Sequence, residues 1–292
     1  MTSGSPTLQT HIRPVAPKET LFDALRGAAD RFGDREFLVI GQRDEVISFA
    51  ELARRAEQFA TLLWEKGARP GDRIALWMSN HIEWPIAAFA IARIGCVMVA
   101  VSTRLTSSEV AHILALSQAK FLVMEDVFLG KIDATSILEG ALSELAEKNL
   151  PGPKVVSLRR NGSVLPGLID GSATTPRSDM PQPLAPSTRL AARAGQGALP
   201  ELLGVAAILS TSGTTGAPKG VMLTHYALLR LARALAKRQV LNASERFYSI
   251  APFFHCSGLT HGLLTNLVAG STYFAPNAYS PDESFAVIRI EG

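Results

Sequence analysis

The chain has only two cysteines, Cys96 and Cys256, in 292 residues. That excludes a disulfide framework and suits a reducing compartment, so both thiols are expected as small core or pocket residues. A basic run is also missing: 29 basic and 26 acidic residues are spread along the chain for a net charge of +3. Nucleic acid is therefore not expected as a partner. No apolar stretch near the N-terminus is long enough for a signal-peptide core, and residues 1–19, with Pro6, Pro14 and Pro17, read as a flexible lead-in. The segment from Trp84 to Val101 approaches the length of a membrane span, but Pro85, Arg93 and Gly95 interrupt it. It reads as a buried helix, a glycine stop and a buried strand. No H-x-x-H, C-x-x-C or H-E-x-x-H spacing occurs, so no protein-built transition-metal site is indicated.

What the chain does have is apolar material, 47% of its residues against 19% charged, enough for a sizeable core. Thr20 precedes a stripe of Leu21, Leu25, Ala28 and Phe32 that Gly33 ends, which predicts a capped helix. The short apolar runs 37–40 and 45–47 predict a hairpin. Ser48 with Glu51 is a capping-box pattern opening a second helix, with Leu52, Ala56, Phe59 and Leu63 on one face. Strands are expected at 73–78, 97–101, 120–124 and 155–158, with helices between them from 83 to 94, from Thr106 with Glu109, and up to about Asn149. This alternation predicts an α/β fold with helix-covered, largely parallel sheets. Residues 171–200 hold Pro176, Pro181, Pro183, Pro186 and Pro200 with few large apolar residues, and read as a linker or surface loop. The resulting division is a first α/β subdomain over 20–170 and the start of a second α/β portion over 201–292. In that portion strands are expected at 205–210, 247–251 and 271–274, with helices at 226–238, 258–269 and from Pro281.

The chemistry-bearing string is Thr211-Ser212-Gly213-Thr214-Thr215-Gly216-Ala217-Pro218-Lys219-Gly220, directly behind the apolar run 205–210. Hydroxyls, glycines and a lysine at the carboxyl end of a strand make an anion cradle. Glycines let backbone N–H groups approach phosphate oxygens, hydroxyls donate further bonds, and Lys219 brings a mobile charge. A polyphosphate suits it. The P-loop pattern does not fit, because Pro218 precedes and Gly220 follows the lysine, and proline disfavours helical geometry at Ala217. The loop is therefore expected over 211–220 and not to enter a helix at its lysine. A second cluster, Pro252-Phe253-Phe254-His255-Cys256-Ser257-Gly258, lies between a predicted strand and helix. His225, at a helix start, is read as structural; Asn80 and Glu83, after a strand end, are read as caps.

The string from Thr211 to Gly220, extended by Val221-Met222-Leu223-Thr224-His225, resembles the phosphate-loop signature of the adenylate-forming enzymes. That family includes acyl-CoA synthetases, aryl-CoA ligases, luciferases and peptide-synthetase adenylation domains. Ile47-Ser48-Phe49-Ala50-Glu51-Leu52 and Arg104-Leu105-Thr106 are similar to weaker motifs of the same family. The resemblance implies an AMP-forming carboxylic acid:CoA ligase using ATP and Mg²⁺, with CoA as co-substrate. Thr211, Ser212, Gly213, Thr214, Thr215, Gly216 and Lys219 would hold the ATP phosphates. It also implies that His255 stands beside the acyl-adenylate, where peptide-synthetase domains carry an aspartate for an α-amino group. The expected substrate is thus a fatty, aryl or alicyclic acid without that amine. A hydrogen-bonded loop histidine is the alternative role for His255.

Further family motifs, for adenine, ribose, the magnesium-associated glutamate and a C-terminal lysine, are not found here. The chain is therefore expected to be an N-terminal fragment of the adenylate-forming fold, incomplete at the C-terminus and doubtful as a catalyst alone. The competing reading is a short non-catalytic nucleotide- or acyl-binding α/β protein. Cytoplasmic placement is expected, with peripheral membrane contact if the acid is long.

Overall fold

The structure is a computed structural model that describes residues 19–158, 204–211 and 219–291. Thr20 caps α1 (Leu21–Phe32) through a reciprocal box with Asp23: its hydroxyl accepts from Asp23 N, and the Asp23 carboxylate accepts from Thr20 N at 3.0 Å. β1 (Glu36–Ile40) and β2 (Glu45–Ser48) form the expected antiparallel hairpin. Ser48 caps α2 (Phe49–Glu65), but the Glu51 carboxylate turns to Arg54 at 2.7 Å, so only the serine half of the predicted box is built.

β3 (Arg73–Trp77) leads to α3 (Glu83–Ile94), which is buried nearly throughout. Gly95 stops it in the left-handed conformation at φ 82°, and β4 (Val97–Ala100) follows. This is the helix, glycine stop and strand expected of the most apolar stretch. Among the described residues no helix is long and apolar enough to cross a membrane. α4 (Ser107–Ser117), opened by the Thr106–Glu109 box, precedes β5 (Phe121–Glu125). A ribbon of β6 (Val127–Phe128) and β7 (Ile132–Asp133), not anticipated from the sequence, leads to α5 (Ala134–Glu147) and β8 (Lys154–Leu158).

Beyond the undescribed stretch come β9 (Val205–Thr211) and β10 (Lys219–Thr224), then α6 (His225–Arg238) and β11 (Arg246–Tyr248). A π-helix over Ser257–Leu264 continues as α7 (Thr265–Ala269), followed by β12 (Thr272–Ala275) and α8 (Pro281–Glu291). Three expectations are corrected. Residues 219–224 form a strand, so the loop expected over 211–220 has both ends in a ladder. The strand expected over 247–251 stops at Tyr248. The helix expected over 258–269 begins as a π-helix, whose loosened carbonyls are met by side chains: Thr265 Oγ1 donates to Thr260 O at 2.6 Å and Asn266 Nδ2 to Gly262 O at 2.7 Å. The proline-rich 171–200 segment lies outside the described residues.

Two sheets result. A six-stranded sheet runs β10-β9-β4-β3-β5-β8, parallel except that β10 is antiparallel to β9. A four-stranded sheet runs β11-β12-β1-β2, with β1, β11 and β12 parallel and β2 antiparallel. Each sheet takes strands from both sides of residues 159–203, so the expected division into 20–170 and 201–292 does not separate the sheets.

The period of two along β3 shows how the layers form. Ile74 and Leu76 face a core shared with Leu38 and Ile40 of the other sheet and with α1, α2, α3 and α6. Ala75 and Trp77 face the opposite side, where α4 and α5 pack. Val39 and Phe274 meet Val287 of α8 on the far face of the four-stranded sheet.

Candidate functional site

β9, β4, β3 and β5 are parallel neighbours, so their carboxyl ends share one edge of the six-stranded sheet. Ligands of open α/β sheets collect at such an edge. Thr211 ends β9 there, and Lys219 starts β10 directly opposite it in register. Both are exposed. Ser212, Gly213, Thr214, Thr215 and Gly216 lie outside the described residues. Lys219 opens a strand and not a helix, which differs from a phosphate loop that runs into a helix N-terminus. Beside Lys219 is a small apolar recess lined by Val99, Ile113, Leu116, Ile208 and Ser210. Gly220 backs onto it, where a Cβ would come within 3.0 Å of Ile208 Cγ2.

The segment 252–258 forms a compact turn. His255 N donates to Pro252 O at 3.0 Å, and Leu259 N donates to His255 O at 2.9 Å. A Cβ on Gly258 would stand 2.0 Å from Pro252 O, which is why glycine is needed six residues after the proline. Phe253 is fully buried and meets Trp84 edge-on at 5.8 Å, whereas His255 is exposed. His255 Nδ1 accepts from Ser257 N at 3.3 Å and lies 2.7 Å from Ser257 Oγ. With Nδ1 an acceptor, a neutral ring carries its proton on Nε2.

This turn reaches the strand-end edge through Asn80, which follows β3. Phe253 N donates to Asn80 Oδ1 at 2.8 Å, and Asn80 Nδ2 donates to Ala251 O at 3.3 Å. The sequence offered Asn80 as a local cap; it is instead a long-range tie. Its neighbours are pinned too. Ser79 N donates to Glu125 Oε1 at 2.8 Å, and Ile82 N donates to Glu45 Oε2 at 2.9 Å. His81, buried, has Nδ1 2.7 Å from Glu83 Oε2 and Nε2 3.0 Å from Glu125 Oε2, the latter close enough for charge pairing but off the line of a good hydrogen bond.

Burial opposes charge on His81, but Glu125 and Glu83 outweigh it and hold the ring's pKa up at about 9. Burial likewise opposes ionisation of Glu83, yet His81 and Arg55, the latter 3.2 Å away, hold its carboxyl down at about 2. Glu125 is also lowered, burial being overcome by His81 and Ser79. The cluster is thus an imidazolium between two carboxylates. Ligand-capable atoms of Glu45, His81 and Glu83 lie within 4.8 Å of one another, a grouping no sequence spacing announces. The imidazolium already supplies its cation.

Residues 25–291 match the family described as AMP-binding enzyme. The chain belongs to that family. Among its relatives, the 3-[(3aS,4S,7aS)-7a-methyl-1,5-dioxo-octahydro-1H-inden-4-yl]propanoyl:CoA ligase of Rhodococcus jostii (strain RHA1) is 30% identical over 268 residues, 92% of this chain and 50% of that protein. The mitochondrial medium-chain acyl-CoA ligase ACSF2 of Rattus norvegicus is 28% identical over 276 residues, 91% of this chain and 44% of that protein. This AMP-binding chain therefore spans about half the length of the curated relatives it matches. The crystal structure of a long-chain-fatty-acid-CoA ligase (FadD1) from Archaeoglobus fulgidus superposes with a TM-score of 0.70 at 21% identity, covering 100% of this chain and 52% of that one. At that identity the likeness shows the fold alone. The layered α/β architecture is thus shared with that ligase.

Proposed function

We propose that the protein carrying this chain is an AMP-forming carboxylic acid:CoA ligase. A carboxylate oxygen attacks the α-phosphorus of ATP, the bond to pyrophosphate breaks, and the resulting acyl-adenylate passes its acyl group to the CoA thiol with release of AMP. The observation that carries this reading is the position of the Thr211–Gly220 string. Its two ends, Thr211 and Lys219, face each other at the strand-end edge to which Asn80 ties the 252–258 turn. Lys219 and the loop hydroxyls are assigned to the β- and γ-phosphates, where they stabilise charge on departing pyrophosphate. His255 is assigned to the wall of the acid site, its Nε2 proton available to an oxygen of the adenylate. With a histidine in place of an α-amine-binding aspartate, the substrate class is a fatty, aryl or alicyclic acid. Cytoplasmic placement and membrane-surface contact for a long acid belong to the same proposal.

Mg²⁺, which the resemblance implies, finds no fit among the described residues. The walls beside Lys219 carry no carboxylate, and in the Glu45–His81–Glu83 group the ring is itself held as a cation, which repels a metal ion. The test is carboxylate-dependent ATP–pyrophosphate exchange on the complete protein, with a panel of fatty, aryl and alicyclic acids. Lys219→Ala should slow exchange by roughly 10²–10³, the loss expected for one preorganised charge-stabilising group, with the fold unchanged. Exchange by Lys219→Ala at the unsubstituted rate would remove the phosphate role.

A further inference from the structure

Four consecutive residues after β3 are held by widely separated parts of the chain. Ser79 is tied to Glu125 at the end of β5, Asn80 to residues 251 and 253 beyond β11, and His81 to Glu83 and Glu125. Ile82 is tied to Glu45 at the start of β2. β3 and β5 belong to the six-stranded sheet, β2 and β11 to the four-stranded one. The segment 79–82 is therefore where the phosphate-loop edge of one sheet is referenced to the other.

Within it, Asn80 alone reaches the 252–258 turn. Its carboxamide uses donor and acceptor at once, Nδ2 toward Ala251 O and Oδ1 toward Phe253 N, a combination that neither a carboxylate nor a hydroxyl of that reach supplies. The turn beyond is internally rigid, through the His255–Pro252 and Leu259–His255 bonds and the close approach of Gly258 to Pro252 O. Fixing Phe253 thus fixes His255. Asn80 is in turn flanked by Ser79 and His81, both bound to the same buried carboxylate, Glu125, so its backbone cannot shift without breaking that cluster.

We propose that Asn80 is the positioning residue for the acid-binding wall, setting Phe253 and His255 relative to the strand-end edge that carries Thr211 and Lys219, with the Ser79–His81–Glu125 cluster holding Asn80 in place. This rests on the ligase reading above and adds to it a residue that touches no substrate. A hydrogen bond of this kind is worth about 0.5–1.5 kcal/mol, roughly two- to tenfold in an equilibrium.

The test uses the complete protein and two readouts. In Asn80→Ala, hydrogen exchange at the Phe253 amide should accelerate by roughly two- to tenfold, and KM for the acid should rise by a similar factor. KM for ATP should stay within about twofold, since Thr211 and Lys219 are held by the β9–β10 ladder and not by Asn80. Asn80→Asp keeps an oxygen for Phe253 N–H and should retain most of the exchange protection. Should the alanine variant fail to fold, the Asp variant and Asn80→Ser carry the comparison. An unchanged Phe253 exchange rate, or equal rises in KM for acid and ATP, would overturn the proposal. If the unsubstituted protein activates no acid, the ligase reading fails separately, and the exchange rates still decide whether Asn80 holds the turn.

Discussion

His81 and His225 are both buried, both follow a strand, and both sit beside carboxylates, yet the fold gives them opposite charge. His81 lies between Glu83 and Glu125 and is held ionised, with Arg55 beyond Glu83 and Glu45 nearby. His225 opens α6, accepts a hydrogen bond from Leu21 N on Nδ1 at 3.1 Å, and is pushed by burial down to about 4, only partly countered by Asp23. One carboxylate at a distance does not charge a buried imidazole; two in contact do. The neutral histidine joins α1 to α6, while the charged one joins strand ends. The first is a packing device, the second an electrostatic one.

Removing Glu125 attacks that contrast most directly. Glu125→Ala leaves the His81 ring with a single partner and Ser79 N–H without an acceptor, so a loss of roughly 3–5 kcal/mol is expected in urea unfolding at neutral pH. The His81 ring, left with Glu83 as its contacting carboxylate, should then titrate below its present value; an NMR titration that shows it unchanged would break the account. His225→Ala should cost less, about 1–3 kcal/mol, since it strands one buried N–H, that of Leu21. His225→Gln, which keeps an acceptor, should recover part of it. A glutamine variant no better than alanine would mean that shape, not the hydrogen bond, matters there.

The pH dependence differs in sign between the two sites. The folded pKa of His81 is raised, so its contribution is complete below the unfolded value near 6.5 and is lost as pH rises through about 9. That of His225 is depressed, so its contribution is complete above 6.5 and is lost as pH falls toward about 4. Thermal midpoints across this range should fall on both sides of about pH 6.5. His81→Asn should flatten the alkaline side and His225→Gln the acid side. The reverse assignment would contradict both ionisation states.

Local pattern was legible where it decided local structure. Thr20 and Thr106 capping, the α2 stripe and the α3–Gly95–β4 passage follow from spacing and side-chain type alone. β10 was missed because its residues were claimed by the phosphate motif, and Pro218 and Gly220 hid a strand that pairs at the sheet edge. The apolar Ile250 and Ala251 extend the strand pattern past Tyr248, although the chain has already left the sheet there. The phosphate string and the 252–258 turn were visible as motifs. The Asn80 tie was not, since its partners lie far along the chain and no periodicity encodes which strand ends become neighbours. Glu125 left one clue, a carboxylate closing an otherwise apolar strand.

The sharing of strands between sheets has a consequence for how the molecule is made on the ribosome. β1 emerges well before its parallel partner β12, Leu38 pairing with Tyr273. β4 likewise waits for β9. While the middle of the chain is being made, β1 has only its hairpin partner β2 and β4 only β3, so each keeps one open edge in the meantime. Long-range parallel pairing is slow to form and exposes sticky edges to other chains. Chaperone occupancy during translation should thus ease in two steps, when residues near 224 complete the six-stranded sheet and when residues near 275 complete the four-stranded one.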